Sequence, residues 1–229
     1  MLKCIKINFV YFISKKNLLS LIACYLIVLF VTVFIVNDNL SLSLSFEEKQ
    51  MYTWDMLFSF YKLIIITLSC FLMNNFIISS NDNYKVLFII NLKNKNLYYI
   101  AKILTIIISL ISFVFLSFIF YLIVNVICNK NYILKIEYIK GFVLIALLSF
   151  VYGVISMIIS KIFDNTICVL IPIILYISSE FFEFNGNIIN TFFPNFFLDV
   201  IDYSFGLYTI HYLVLTTFYI ILFFVILKE

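Results

Sequence analysis

The chain has 229 residues, 65% of them hydrophobic, 20% aromatic and only 12% charged, with a formal net charge of +3. Soluble domains run to about 45–50% apolar and about 25% charged, and a soluble globule has too little polar surface here to cover its apolar groups. The sequence therefore reads as an all-α integral membrane protein. Four Gly and two Pro exclude a collagen-like or Gly/Pro-rich disordered chain, and fifteen Lys with no Arg exclude any mechanism that needs a guanidinium fork.

The first segment, Met1–Asn17, sets Lys3, Lys6, Lys15 and Lys16 among Ile5, Ile7, Phe9, Val10, Phe12 and Ile13. Such a segment either lies flat at the interface as an amphipathic helix, with its lysines reaching the headgroups, or extends the first span at its N-terminus. A bilayer core of about 30 Å needs about 20 helical residues to cross it. Six apolar runs have suitable length: Leu18–Val36, Met56–Ser79, Ile103–Ile127, Gly141–Ser160, Thr166–Ser179 and Gly206–Leu227, the fifth being short. No gap between them would hold a separate soluble domain, so the expectation is one transmembrane domain over 1–229. The first run lacks a small-x-small cleavage site and is expected to stay in the membrane.

The intervals are read as loops. Asn37–Asp55, with a Ser/Leu alternation and then Glu47-Glu48, is expected outside. Glu180–Ser204 is rich in Phe and Asn, contains Pro194, and carries Glu180, Glu183, Asp199 and Asp202. It is too apolar for a free loop and too broken for one span. A broken re-entrant hairpin before the last helix fits, its backbone groups covered by protein. With the N-terminus inside, ten of the fifteen lysines and three of the twelve acids face the cytoplasm. Both termini are then cytoplasmic.

Polar groups at membrane depth are functional candidates. Asn74 and Asn75 lie late in the second run and either line a path or hold helices together. Lys62 is read as snorkelling outward, and His211 sits in the last run between Tyr208 and Tyr212. Glu180 and Glu183, one turn apart, either attract a cationic substrate or form a solvated rim. The tyrosines at run ends, Tyr11, Tyr52, Tyr98, Tyr99 and Tyr132, read as interface belts. Small-residue packing motifs read as nearly absent.

Enzyme chemistry finds no footing. There is no HExxH, no GxSxG and no GxxxxGK[ST] loop. Glu47-Glu48 lacks the Arg and the histidines of a paired-glutamate membrane protease. Five scattered cysteines (4, 24, 70, 128 and 168) read as unpaired small hydrophobes. With His211 the only histidine and no CxxC, no metal site is expected, nor any cofactor on this chain.

The connection between the second and third runs carries the most information. It runs from Asn81 to Lys102, with Asp82 and Asn83 at a polar turn, an apolar stretch Val86–Leu92, and then Lys93 and Lys95. Asn96 reads as the N-cap of the next helix. This stretch resembles the signature region of the type-2 ABC transporter permeases (ABC-2 membrane subunits). Asp82 and Asn83 sit at that family's acidic turn, Leu87-Phe88-Ile89 supply its apolar run, Lys95 its basic turn and Lys102 its following lysine. Asn83 replaces the family's usual Gly and Leu92 its usual Pro. The interfacial N-terminal helix, six spans, inside termini and broken hairpin extend the likeness over the whole chain.

The resemblance implies a membrane subunit of a bacterial ABC exporter in the cell membrane. It would pair with a second membrane subunit, identical or homologous, and dock a cytoplasmic ABC ATPase that binds the ATP. A coupling helix at about Tyr84–Asn94 would transmit ATPase closure through Asp82, Asn83, Tyr84, Leu87, Ile90, Lys93 and Lys95. An amphipathic or antimicrobial peptide would be the substrate; no nucleic acid is expected. The rival readings are the substrate-binding membrane component of a vitamin uptake system and a stand-alone membrane immunity or assembly protein.

Overall fold

Described residues of the computed structural model are 15–40, 43, 45–78, 95–128, 133–163, 165–181, 192–194 and 201–226. They form α1 (Lys15–Leu40), α2 (Phe46–Ile78), α3 (Lys95–Cys128), α4 (Ile136–Ile159), α5 (Asn165–Phe181) and α6 (Ile201–Ile226). All but α5 are long and apolar enough to cross a membrane. At 17 residues, α5 spans about 25 Å, short of the hydrocarbon core. The chain is thus a multi-pass, all-helical membrane protein among its described residues.

Two helices start earlier than the hydropathy suggests. The stretch expected as the outer loop is mostly helix: α1 runs on to Leu40 and α2 begins at Phe46. The cause is a capping box. The Ser45 backbone N–H and hydroxyl both donate to the Glu48 carboxylate (3.0 and 2.7 Å), and the Glu48 N–H donates back to Ser45 Oγ (3.4 Å). Glu47 and Glu48 therefore stand in the first turn of α2, where their charge meets the positive end of the helix dipole. Likewise α3 begins at Lys95, eight residues before the apolar run, and takes in Asn96 rather than being capped by it. Lys15 and Lys16, assigned to the interfacial segment, belong to α1; residues 1–14 of that segment lie outside the described residues.

The core is built on α4, the most buried of the long helices, with α2 against it. Helices α5 and α6 also pack on α4, while α1 packs on α2 and α3. Gly141 faces Trp54 and Phe58, and Gly153 faces Ser69 and Met73, so α2 and α4 run in the same direction. Helix α6 shares it: Lys140 lies 6.0 Å over the Phe205 ring and Lys161 lies 5.7 Å over the Phe223 ring. Helix α5 runs the other way, joined to α4 by a tight turn in which the N–H groups of Lys161, Ile162 and Phe163 donate to Ile158 and Ile159 carbonyls.

One end of the bundle is filled by rings. Trp54 packs against Tyr138, Phe58, Tyr121 and Phe142, with centroids 4.3, 4.9, 5.4 and 5.9 Å away. Gly141 makes room for them: a Cβ there would stand 2.6 Å from Phe58 Cε2 and 2.9 Å from Trp54 Cζ2. Of the tyrosines read as interface belts, Tyr52 is exposed, while Tyr99 is buried against Phe223 rather than at a surface. Tyr61, Tyr121, Tyr138, Tyr152, Tyr176 and Tyr212 are core residues too. Tyr11 and Tyr132 lie outside the described residues.

Candidate functional site

Between α2, α4 and α5 runs a seam of small hydroxyl- and thiol-bearing residues. Ser69 Oγ donates to the Ser149 carbonyl at 2.6 Å, and Cys70 Sγ approaches the Tyr152 carbonyl at 3.5 Å. Ser156 Oγ reaches two carbonyls, Cys168 at 2.8 Å and Cys70 at 3.2 Å. Gly153 lies inside this set, and a Cβ on it would collide with Ser69 Oγ. Ser149 and Gly153 are one turn apart on α4, which is a small-xxx-small pattern. Such motifs were expected to be nearly absent, and this one was passed over. The pattern uses Ser and Cys in place of Ala, and it holds the two most buried helices together.

Pro172 explains part of the seam. It lies inside α5 and has no N–H to give to the carbonyl four residues back, which is that of Cys168. In lipid no water can take over that role. The donor is Ser156 Oγ from α4. The break in one helix is thus repaired by its neighbour.

The seam continues to the stretch before α6. The Tyr152 hydroxyl donates to the Pro194 carbonyl at 3.2 Å, with Ser179 Oγ 3.5 Å away, and the Tyr219 hydroxyl donates to the Phe192 carbonyl at 2.8 Å. Tyr152 and Tyr219 both lie well inside their helices, so Phe192–Pro194 is held against the bundle, with Pro194 buried and Phe192 exposed. The rest of the expected hairpin, 182–191 and 195–200, lies outside the described residues.

The described path residues stand on three helices, α2, α5 and α6. Asn74 is buried near the end of α2, and Asn75 follows it in the same helix. His211 is half-buried on α6 with its ring 5.9 Å from that of Tyr212. Glu180 lies in the last turn of α5, and Glu183 is outside the described residues. Lys62 departs most from expectation. Because α2 starts at Phe46, Lys62 sits at the midpoint of a 33-residue helix. It is only 5% exposed, its ammonium 5.7 Å over the Phe58 ring. Of the coupling residues, Asp82, Asn83, Tyr84, Leu87, Ile90 and Lys93 lie outside the described residues, and Lys95 is the first residue of α3.

Two features escaped the sequence reading. One is the Pro172–Ser156 repair, signalled by a proline inside an apolar run. The other is buried Lys102, 2% exposed on α3 beside Ala101 and Tyr99. Cys24, Cys70, Cys128 and Cys168 form no disulfide. The chain matches no protein-family model, no curated protein and no solved structure.

Proposed function

We propose that the chain is the membrane-spanning permease subunit of a bacterial ABC exporter, paired with a second membrane subunit and driven by a separate cytoplasmic ATPase. The observation that carries this reading is the early start of α3. Lys95 and Lys102, the basic positions of the ABC-2 resemblance, stand on the same continuous helix that crosses the bilayer. A push on the 82–94 connection would pass directly into α3 and, through Tyr99, to Phe223 of α6. The hydrogen bonds from Tyr152 and Tyr219 to the Pro194 and Phe192 carbonyls, with Pro194 buried, support a broken, partly inserted segment before α6. Six helices of alternating direction would return both termini to one side, the lysine-rich side by charge. An amphipathic peptide is the substrate class this reading favours.

The test is affinity purification of the tagged chain from its native membrane in mild detergent. A stoichiometric P-loop ATPase is expected to co-purify. Leu87→Asp combined with Ile90→Asp should abolish that association while leaving the purified helical bundle folded, because a carboxylate cannot enter an apolar groove unpaired. An intact, folded chain without any ATPase would overturn the proposal in favour of a stand-alone immunity or assembly protein.

A further inference from the structure

A second feature is independent of the permease reading. Helices α3 and α4 touch each other far less than α4 touches α2, and a groove of about 400 Å³ opens between them. Every residue that lines it is apolar. Val114, Phe142 and Phe150 form a buried floor, and Ile111, Phe115 and Val143 form a rim exposed on the outer face of the bundle. We infer that this groove binds one acyl chain of a phospholipid, taken from the leaflet at the end of the bundle where α4 begins.

Three observations select that occupant. The first is depth. The α4 side of the groove runs from Ile139 to Phe150, which is about 16 Å of helix. It starts three residues below the beginning of α4 at Ile136. That range is about half of a hydrocarbon core of about 30 Å, the reach of a chain from one leaflet. The second is size. At about 400 Å³ the groove lies in the range of small-ligand pockets, about 300–1,000 Å³, and a helix about 10 Å across does not enter it whole. The third is the lining. Where this protein brings helices close, it uses Gly153, Ser69, Ser149 and Ser156. Transmembrane helices generally meet through such small residues. The groove offers only Ala146 among Phe115, Phe118, Phe142 and Phe150. Bulky rings that keep another backbone away still leave a slot for a single flexible chain.

The test uses the full chain reconstituted in phosphatidylcholine/phosphatidylglycerol vesicles containing a phospholipid with a photoactivatable diazirine on its acyl chain. Labelled peptides are mapped by mass spectrometry. Labelling within 111–118 and 139–150 is expected to exceed, at least threefold per exposed residue, that of the lipid-facing stretches of α1 and α6 around Phe30 and Ile221. Ala146→Phe should fill the groove and cut its labelling at least threefold. Phe115→Ala, on the exposed rim, needs no repacking and should raise it. Even labelling over α1, α6 and the groove would overturn the inference, since that is general solvation by lipid. So would low labelling of the groove together with efficient disulfide formation between copies carrying Val143→Cys, which would make the occupant a second copy of the chain.

Discussion

Ser156→Ala tests the repair of α5 most sharply. The substitution removes the side-chain donor on the Cys168 carbonyl, which Pro172 cannot supply from within the helix. A buried carbonyl left without a donor costs about 1–3 kcal/mol, whereas hydrogen bonds measured inside membrane proteins average about 0.6 and reach about 1.7 kcal/mol. Ser156 also reaches the Cys70 carbonyl, so the expected loss is at the upper end, about 1.5 kcal/mol. Pro172→Ala returns an N–H four residues after Cys168. In that background Ser156→Ala should cost about 0.5 kcal/mol or less, giving a coupling of about 1 kcal/mol. The assay is unfolding in mixed detergent–SDS micelles, read by fluorescence of Trp54, the sole tryptophan, buried in the aromatic cluster. Equal losses for Ser156→Ala with and without Pro172 would refute the reasoning.

Gly153→Ala and Gly206→Ala should differ. At Gly153 the new methyl meets Ser69 Oγ and lies 3.0 Å from Met73 Cγ, while at Gly206 nothing stands within 4 Å. Overpacking costs about 1–3 kcal/mol and the helix preference of Ala over Gly returns up to about 1 kcal/mol, so Gly153→Ala loses about 1 kcal/mol and Gly206→Ala loses nothing, as the same unfolding assay will read. Thr32 and Tyr61 should also be unequal. The Thr32 hydroxyl already donates to Val28, so the Tyr61 O–H is the donor in their 2.6 Å contact. Thr32→Val strands a buried donor and should cost about 1–3 kcal/mol, whereas Tyr61→Phe leaves only a spare lone pair and should cost under about 1 kcal/mol; the reverse order in a melt of the two variants would contradict this assignment.

Much of the scaffold was legible in the residues, because apolar length is the one requirement a bilayer imposes on every crossing helix. Helices α1, α4, α5 and α6 lie within a few residues of their apolar runs. The starts of α2 and α3 were not found, since both helices project polar turns past the lipid and hydropathy sees only the part inside it. The Ser45–Glu48 capping box was nevertheless readable as Ser-x-x-Glu. Lys62 was misjudged because its burial is set by the helices packed around it, which its neighbours in sequence do not show. The seam was hidden because its α2–α4 contacts join small residues 80 or more positions apart, and nothing local marks Ser69 as the partner of Ser149. Tyr99 was misread because one side chain serves two environments, its ring suiting lipid or core alike and its hydroxyl needing only one acceptor.

The pairing of α2 with α4 has a consequence for biosynthesis. Ser69 and its acceptor on Ser149 are 80 residues apart, with all of α3 made in between. At about 5–20 residues per second, the seam face of α2 leaves the ribosome roughly 4–16 s before α4 can cover it. During that interval buried Ser69 has no α4 to shield it from lipid. The insertion machinery, or α3 as a temporary neighbour, must shelter that face, and α2 takes its final place only when α4 arrives.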